Sequence, residues 1–316
     1  QYINLKILLT STSFQDTPGQ HHKALNDLNY QIHTLRGPLT EDVLLPVIRE
    51  YDGVICGDDE YTSEVLDQGK KGRLKVLSKY GIGLDKVDLG SAKKNGISVF
   101  NTPGVNSEAV SEHVFALLLS FEKNIIEENS IVQDNKWDRL IGRELYGKKI
   151  LVFGLGSVGK EVAKRAKAFG MKVYGYDILE DKNFTKSYQV SFTNNFKEIL
   201  SEMDYISLNA PLNEKTRNIF NKEVFDLCKK DLVLINTARA ELIDMKIIID
   251  YLNRDKIRGY LTDVLEEEPI IKNHPFLNCK NVLITPHIGS RNYETVQRQG
   301  LKSVENLINF FKNYNK

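Results

Sequence analysis

Short apolar runs rich in Val and Ile alternate with longer segments of helical periodicity along most of the chain. Runs of this kind predict buried strands, because continuous apolar strands are typical of a parallel sheet that helices cover on both faces. The pattern predicts about four or five strands before residue 102 and about five or six after residue 148. The clearest runs are Leu5–Leu9, Gly53–Cys56, Val76–Leu77, Ile97–Phe100, Ile150–Phe153, Val173–Tyr176, Tyr205–Leu208, Leu232–Ile235 and Val282–Thr285.

This strand count favours an α/β chain with two separate parallel sheets. A long helix is predicted between them, from Ser107 to about Gln133, because five apolar residues fall on one helical face. A last helix, from about Tyr293 to Tyr314, follows the end of the second sheet, and we expect it to pack back on the first domain. The predicted domains are therefore a discontinuous one, residues 1–101 with 290–316, and a second one, residues 102–289. The apolar helical face consists of Val110, Val114, Leu117, Leu118 and Phe121.

Charge and cysteine content narrow the possible classes of protein. The 316 residues include 43 Lys and Arg against 42 Asp and Glu, a net charge of +1, which excludes the cationic excess typical of nucleic-acid binding. Three scattered cysteines predict neither a disulfide framework nor a zinc site, and no metal is expected. No run of 18 apolar residues occurs, so no membrane partner is expected. We therefore expect a soluble cytoplasmic protein.

A glycine-rich segment at residues 154–159 predicts a dinucleotide site. An apolar strand precedes it and a helix closed by Gly170 follows. Gly154 permits a tight turn, Gly156 lets a pyrophosphate approach the backbone, and Gly159 lets the helix pack close to the strand. The N-terminus of that helix would present unpaired N–H groups to phosphates. A strand–helix turn without a ligand is the alternative.

Asp177 ends the next predicted strand, 23 positions after Gly154. This spacing is close to that of the acidic residue that binds ribose hydroxyls in dinucleotide folds. A carboxylate at that position would repel a 2′-phosphate, so NAD is favoured over NADP. A solvated strand end is the alternative for Asp177.

Three polar residues follow predicted strands in the second half of the chain, where ligands of open α/β sheets bind. They are Arg239, Glu268 and His287. Hydride transfer between NAD and a 2-hydroxy acid needs a cation for the substrate carboxylate, and arginine binds one bidentately. It also needs a histidine that exchanges the hydroxyl proton and a carboxylate that orients this histidine. These residues supply one group of each kind, although a surface cation, a solvated acid and a structural histidine are their alternatives.

Several further segments carry motifs in a fixed order. Residues Lys79–Asp88 are similar to G-x-G-x-D-N-x-D, with Lys86 in place of the asparagine. With these motifs the chain resembles, over nearly its whole length, the D-specific 2-hydroxyacid dehydrogenase family, which includes 3-phosphoglycerate dehydrogenase. The other matching segments are Asn101–Glu108, the linker Trp137–Lys148, Asn236–Arg239, Asp263–Pro269 and Pro286–Gly289.

The resemblance implies two Rossmann-like or flavodoxin-like domains with the active site in the cleft between them, NAD as the cofactor, and a homodimer formed through the nucleotide-binding domains. It implies that Arg239 binds the substrate, that His287 is the acid/base and that Glu268 is its partner. It also implies that the backbone N–H groups of Ile82 and Gly83 hold the substrate carboxylate. The cofactor contacts that it implies are Gly154, Gly156, Ser157, Val158, Gly159, Asp177, Ala210, Pro211, Thr237, Ala238, Asp263 and Gly289, with Asp263 near the nicotinamide amide.

The substrate stays open between 3-phosphoglycerate and other small 2-hydroxy or 2-oxo acids. Three acids, Asp58, Asp59 and Glu60, form the loop that usually carries phosphate-binding side chains in phosphoglycerate dehydrogenases. Lys79 could supply a cation for a phosphate or be a solvated lysine. The length leaves no room for the regulatory C-terminal domain of longer phosphoglycerate dehydrogenases, so a short form is expected.

Two alternative functions are open. A glyoxylate or hydroxypyruvate reductase would use the same residues in the reducing direction. A protein of another class, an NAD(H)-sensing binding protein of the corepressor kind, would share the fold but would need no acid–base pair. Turnover on a panel of 2-oxo acids separates these functions.

Overall fold

The computed structural model describes residues 4–314, and the chain divides into two compact units. The first unit is Gln1–Asn106 with Ser290–Lys316, and the second is Ser107–Gly289. The boundaries predicted from the sequence lie after residues 101 and 289. Each unit contains its own parallel sheet.

The first unit contains five parallel strands in the order β2-β1-β3-β4-β5. A short 3-10 turn at Ile48–Glu50 precedes β3. The strands are β1 (Lys6–Leu9), β2 (Gln31–Thr34), β3 (Gly53–Cys56), β4 (Val76–Lys79) and β5 (Ser98–Phe100), and the helices are α1 (Thr12–Asp16), α2 (Gln20–Asn26), α3 (Glu41–Leu44), α4 (Ser63–Lys71) and α5 (Leu89–Lys94).

The second unit contains seven parallel strands in the order β12-β11-β10-β9-β6-β7-β8. The strands are β6 (Lys149–Phe153), β7 (Lys172–Tyr176), β8 (Ser191–Thr193), β9 (Tyr205–Leu208), β10 (Val233–Asn236), β11 (Gly259–Thr262) and β12 (Val282–Ile284). The helices are α6 (Ser107–Glu122), α7 (Ile125–Gln133), α8 (Ser157–Ala168), α9 (Lys182–Ser187), α10 (Lys222–Asp226) and α11 (Met245–Asn253), with 3-10 segments at Phe196–Glu202, Ala240–Leu242 and Pro275–Asn278. The last helix, α12 (Tyr293–Tyr314), belongs to the first unit.

Alternate residues of β1 bury opposite faces of the first sheet, as a strand period of two requires. Leu8 belongs to a core cluster with residues of α3 and α4. Ile7 and Leu9 belong to the cluster on the other face, which includes Val304 and Leu307 of α12. The final helix therefore completes the core of the unit that contains the start of the chain.

Two strands and one helix break were not predicted. β2 and β8 are edge strands with mostly exposed or half-buried residues, so they lack an apolar run. β11 is fully buried and is the strand that was predicted to end before Asp263. The predicted helix from Ser107 to Gln133 was wrong in one respect, because Asn124 takes a left-handed conformation with φ 51° and separates α6 from α7.

Within residues 4–314, no helix is both long enough and apolar enough to cross a membrane.

Candidate active site

Strands β6 to β12 are all parallel, so the segments that follow them lie at one edge of the sheet. Chain order reverses at the neighbours β6 and β9, which is where open sheets of this kind bind their ligands. The sequence-predicted residues of the second unit follow these strands. They are Gly154–Gly159 after β6, Asp177 after β7, Ala210 and Pro211 after β9, Thr237–Arg239 after β10, Asp263 and Glu268 after β11, and His287 and Gly289 after β12.

The glycine turn packs as closely as the sequence predicts. Gly154 has φ 93°, and a Cβ there would lie 2.7 Å from the backbone nitrogen of Ala210. A Cβ on Gly159 would lie 1.8 Å from the carbonyl oxygen of Gly154, so only glycine allows α8 to start here. Nothing lies within 4 Å of the corresponding position on Gly156, which leaves its backbone approachable.

The first turn of α8 offers donors beside this open position. α8 begins at Ser157, and the first intrahelical bond runs from the Lys160 N–H to the Gly156 carbonyl. The N–H groups of Ser157, Val158 and Gly159 precede that bond and point along the positive end of the helix dipole. These groups and the open backbone at Gly156 fit the pyrophosphate of a dinucleotide.

The Asp177 carboxylate closes the glycine turn. Its Oδ2 accepts from the Leu155 N–H at 2.7 Å, and its Oδ1 accepts from the Ile178 N–H at 2.7 Å. Each carboxylate oxygen has a second lone pair, so the half-buried Asp177 could still accept from ribose hydroxyls.

Arg239 lies at the end of a turn that the buried side chain of Asn236 stabilises by hydrogen bonds. Asn236 is fully buried and accepts from the Ala238 N–H at 3.0 Å through its side-chain oxygen. Its side-chain nitrogen donates to the Arg239 carbonyl at 2.8 Å. Arg239 Nη1 donates to the Ala238 carbonyl at 2.7 Å, and a guanidinium carries five N–H donors in a fixed fork.

His287 and Glu268 meet in the structure, 19 positions apart in the chain. His287 Nδ1 lies 2.8 Å from Glu268 Oε2, and Glu268 Oε1 accepts from the Leu265 N–H at 2.9 Å. An ionised carboxylate only accepts, so Nδ1 of His287 carries the proton in this contact. Both side chains are about one-third exposed, 37% and 35%, so a small molecule can reach them.

Asp263 lies deeper, with 2% of its side chain exposed. Its carboxylate accepts from the Ile288 N–H at 2.9 Å and the Gly289 N–H at 2.7 Å. Burial acts to raise the pKa of Asp263, but hydrogen bonds from His113, Thr285 and Ile288 outweigh burial and lower this pKa below its usual value. Asp263 is therefore an anion that fixes the loop around His287.

The remaining predicted residues belong to the first unit, at the end of β4. Lys79 is buried, with 5% of its side chain exposed, and its Nζ lies 2.6 Å from Asp58 Oδ1. Ile82 is exposed, and its carbonyl accepts from the Asn101 side chain at 2.9 Å. Gly81 and Thr102 exchange two bonds, of 3.0 and 2.9 Å, which hold the turn before Ile82 and Gly83.

Three residues with a place in this arrangement were not singled out from the sequence. Asn236 belongs to a recognised motif but not to the predicted contacts. His113 contacts Asp263 from α6, and Thr285 contacts it from the segment that follows β12. A single histidine on a helix carries no motif, so only the three-dimensional structure reveals its partners.

The chain is similar to known proteins over most of its length. The family model described as "D-isomer specific 2-hydroxyacid dehydrogenase, NAD binding domain" matches residues 115–289. A D-3-phosphoglycerate dehydrogenase of Methanocaldococcus jannaschii is 36% identical over 96% of this chain, which spans 57% of that protein. A glyoxylate reductase of Korarchaeum cryptofilum is 32% identical over 86% of this chain and 83% of its own length. The apo-structure of D-lactate dehydrogenase from Escherichia coli has a TM-score of 0.85 at 25% identity, covering 98% of both chains.

These findings confirm the predicted resemblance, the fold class of two Rossmann-like domains with parallel sheets, and NAD as the cofactor. They also confirm the predicted reaction class, hydride transfer between NAD(H) and a small 2-hydroxy or 2-oxo acid. The chain belongs to the D-isomer specific 2-hydroxyacid dehydrogenase family and is an NAD-dependent oxidoreductase.

Proposed function

We propose that this enzyme reduces a small, unphosphorylated 2-oxo acid to the D-2-hydroxy acid with Arg239, Glu268 and His287 as its catalytic residues. The 2.8 Å contact between His287 and Glu268 carries this proposal, because it prepares one histidine nitrogen for proton transfer. A nucleotide sensor of the corepressor kind would need no such pair.

The residues divide the chemistry among them. When bound, NADH supplies the hydride for the 2-oxo carbon. His287 in its imidazolium form gives the Nε2 proton to the carbonyl oxygen, and Glu268 stabilises the cation that precedes this transfer. Arg239 binds the substrate carboxylate and polarises the carbonyl group. In the oxidising direction neutral His287 takes the hydroxyl proton back.

The other contacts that we propose are those that the resemblance to the family implies. Ser157 and Val158 would bind the pyrophosphate, Asp177 the adenosine ribose, and the N–H groups of Ile82 and Gly83 the substrate carboxylate. The other proposed cofactor contacts are Gly154, Gly156, Gly159, Ala210, Pro211, Thr237, Ala238, Asp263 and Gly289.

The ion pair between Lys79 and Asp58 supports an unphosphorylated substrate. Lys79 is the cation that a substrate phosphate would need at the end of β4, but its charge is already paired with Asp58 at 2.6 Å. A phosphate would have to displace that carboxylate from a buried lysine and would meet the repulsion of Asp58 itself. Glyoxylate and hydroxypyruvate carry no such group.

Replacing Asp58 with alanine tests the choice of substrate. We expect the variant to gain kcat/KM for phosphohydroxypyruvate relative to glyoxylate by ~10-fold, because ~1.4 kcal/mol of repulsion corresponds to that factor. NADH oxidation on both substrates measures the ratio. Glu64→Gln, which removes an exposed acid on α4 of the same unit, is the matched control and leaves the ratio unchanged. A wild-type enzyme that prefers phosphohydroxypyruvate would contradict the proposal.

We propose further that the enzyme is a homodimer whose interface includes α7 and the segment that follows it. This region exposes large apolar side chains, among them Trp137 at 79% and Ile141 at 96% exposure. Exposed apolar patches of this kind mark association surfaces, and a second copy of the chain is the occupant that the resemblance implies. The other large apolar side chains exposed in this region are those of Ile125, Ile126, Val132 and Tyr146.

Light scattering after size exclusion tests the dimer. We expect a mass of two chains for the wild type and of one chain for Ile141→Asp, because a buried charge without a partner destabilises an interface. Leu277→Asp changes an equally apolar exposed residue of the second unit and serves as the control that keeps two chains. A wild type of one or four chains would contradict the proposal.

We propose a cytoplasmic location. All three cysteines are free thiols, and Cys56 is fully buried, where burial raises the pKa of its thiol. Free thiols are typical of a reducing compartment. Cell fractionation tests this location, and recovery in a secreted or membrane fraction would contradict it.

A further inference from the structure

The loop from Thr285 to Gly289 carries His287 and is fastened through one carboxylate. Thr285 Oγ1 donates to Asp263 Oδ1 at 2.6 Å. The Ile288 N–H donates to the same oxygen, and the Gly289 N–H donates to Oδ2. The bonds to Asp263 therefore lie on both sides of His287.

His287 needs such support because its backbone is in an uncommon conformation. Its φ of 53° is in the left-handed region, which residues other than glycine adopt at an energetic cost. A conformation of this kind persists where the surroundings determine it. Asp263 supplies that constraint to the backbone, while Glu268 orients the ring.

A second histidine completes the arrangement from α6. His113 Nε2 lies 2.8 Å from Thr285 Oγ1 and 3.3 Å from Asp263 Oδ1. The threonine hydroxyl has a single proton, which it gives to the carboxylate, so it must accept from His113. His113 therefore carries a proton on Nε2, which it donates to the hydroxyl and shares with the more distant Asp263 Oδ1.

The position of His113 is fixed by the helix that carries it. At the C-terminal end of α6, Glu122 forms two bonds with Arg258 next to β11, at 3.2 and 2.5 Å. Only 1% of the Glu122 side chain is exposed, so this ion pair is shielded from solvent. At the N-terminal part of α6, His113 and Val110 lie 3.7 and 3.8 Å from the Cβ position of Gly289.

We propose that His113 is a positioning residue for the proton transfer, which acts through Thr285 and Asp263 on the backbone of His287. This inference rests on the proposed catalytic role of His287. His113 does not exchange a proton with the substrate in this scheme. It holds Nε2 of His287 at the place where the carbonyl oxygen is protonated.

The first experiment replaces His113 with leucine and with glutamine. We expect His113→Leu to lower kcat/KM by ~10–100-fold, the usual effect of removing an outer partner or of a ~1 Å misplacement. The NADH dissociation constant and the melting temperature stay close to wild type. His113→Gln keeps a donor near Nε2 and restores most of the activity. Wild-type kcat/KM in His113→Leu, or an equal loss in both variants, would overturn the inference.

The second experiment combines His113→Leu with His287→Gln. If His113 acts through His287, then His113→Leu has little left to impair once His287 is replaced. We therefore expect the double variant to differ from His287→Gln in residual turnover by no more than ~2-fold. If His113→Leu lowered turnover by the same factor in His287→Gln as in the wild type, His113 would act elsewhere, which would contradict the inference. Thr285→Val removes the linking hydroxyl at nearly constant shape, and we expect it to reproduce the loss even if His113→Leu folds poorly.

The two proposals fail in different ways. Wild-type turnover in His287→Gln would contradict the catalytic role of His287. Low turnover in His287→Gln together with wild-type turnover in His113→Leu and Thr285→Val would leave that role intact and overturn the inference about His113 alone.

Discussion

Replacing His287 with glutamine lowers the turnover of 2-oxo acids by at least ~10²-fold, the scale of one acid–base group. Glutamine keeps a polar side chain of similar length, but its amide cannot give up a proton at neutral pH. The carbonyl oxygen must then take its proton from water. Stopped-flow measurement of NADH oxidation gives the rate, and NADH titration separates this loss from a loss of cofactor binding.

The direction of the pH dependence follows from the same scheme. Reduction requires the protonated His287 and therefore slows as the pH rises, whereas oxidation requires the neutral form and slows as the pH falls. In His287→Gln the residual rate no longer follows this pattern. His33→Gln, which changes an exposed histidine of β2, is the matched control and keeps the wild-type rate and profile.

Arg239→Ala provides an independent test of the same site. We expect a loss of at least ~10²-fold in kcat/KM, because the carboxylate loses a bidentate partner and the carbonyl its polarising charge. Arg239→Lys keeps the charge but not the fork, so it recovers only part of the loss. Near-wild-type turnover in His287→Gln or Arg239→Ala would contradict the proposed mechanism.

We expect the separate substitutions Gly159→Ala and Gly156→Ala to have different effects on stability and on NADH binding. At Gly159 the new Cβ would lie 1.8 Å from the Gly154 carbonyl oxygen, so α8 must move away from the turn. Overpacking of this kind costs about 1–3 kcal/mol or more of the free energy of unfolding. We expect Gly159→Ala to lower the melting temperature and to abolish NADH binding.

At Gly156 the added methyl meets nothing within 4 Å, and the φ of −69° is accessible to alanine. The melting temperature of Gly156→Ala therefore stays close to wild type. The methyl group nevertheless occupies the space through which the proposed pyrophosphate reaches the backbone, so we expect NADH affinity to fall by at least ~10-fold, or ~1.4 kcal/mol.

Fluorescence titration with NADH and thermal unfolding measure the two effects side by side. Gly57→Ala is the control, because its Cβ would make an ordinary contact at 3.5 Å and lies outside the glycine turn. Unchanged NADH affinity in Gly156→Ala would mean that the pyrophosphate does not approach this residue. Unchanged stability in Gly159→Ala would mean that the turn is looser than its geometry indicates.

The fold was largely predictable where burial leaves a pattern in the sequence. β6 and α6 have the apolar run and the apolar helical face that buried elements require, and the glycine turn between β6 and α8 has a recognisable spacing of glycines. β2 contains one half-buried apolar residue, Ile32, so an edge strand of this kind leaves no such pattern. The sequence gives no sign of the helix break at Asn124 either, because Ile125 and Ile126 continue the apolar spacing although they are exposed.

The residues of the candidate site could be proposed from the sequence as far as its motifs reach. His287, Glu268 and Arg239 each stand in a recognisable segment, whereas the partners that position them are set by strand register and helix packing. Lys79 aligns with Cys56 across β4 and β3, which brings Asp58 within reach of its ammonium group. That register is a property of the assembled sheet, so the sequence alone left the role of Lys79 open.

The return of α12 to the first sheet has a consequence for synthesis of the chain. Val296, Val304, Leu307 and Phe311 complete a core that begins with Leu5. At ~5–20 residues per second, a ribosome takes about 10–40 s to make the roughly 200 residues between the two parts of this core. The nascent first unit must therefore keep part of one apolar sheet face uncovered while the whole second unit emerges and folds. Holdase chaperones that bind early apolar segments should associate with this chain longer than with one whose amino-terminal domain is continuous.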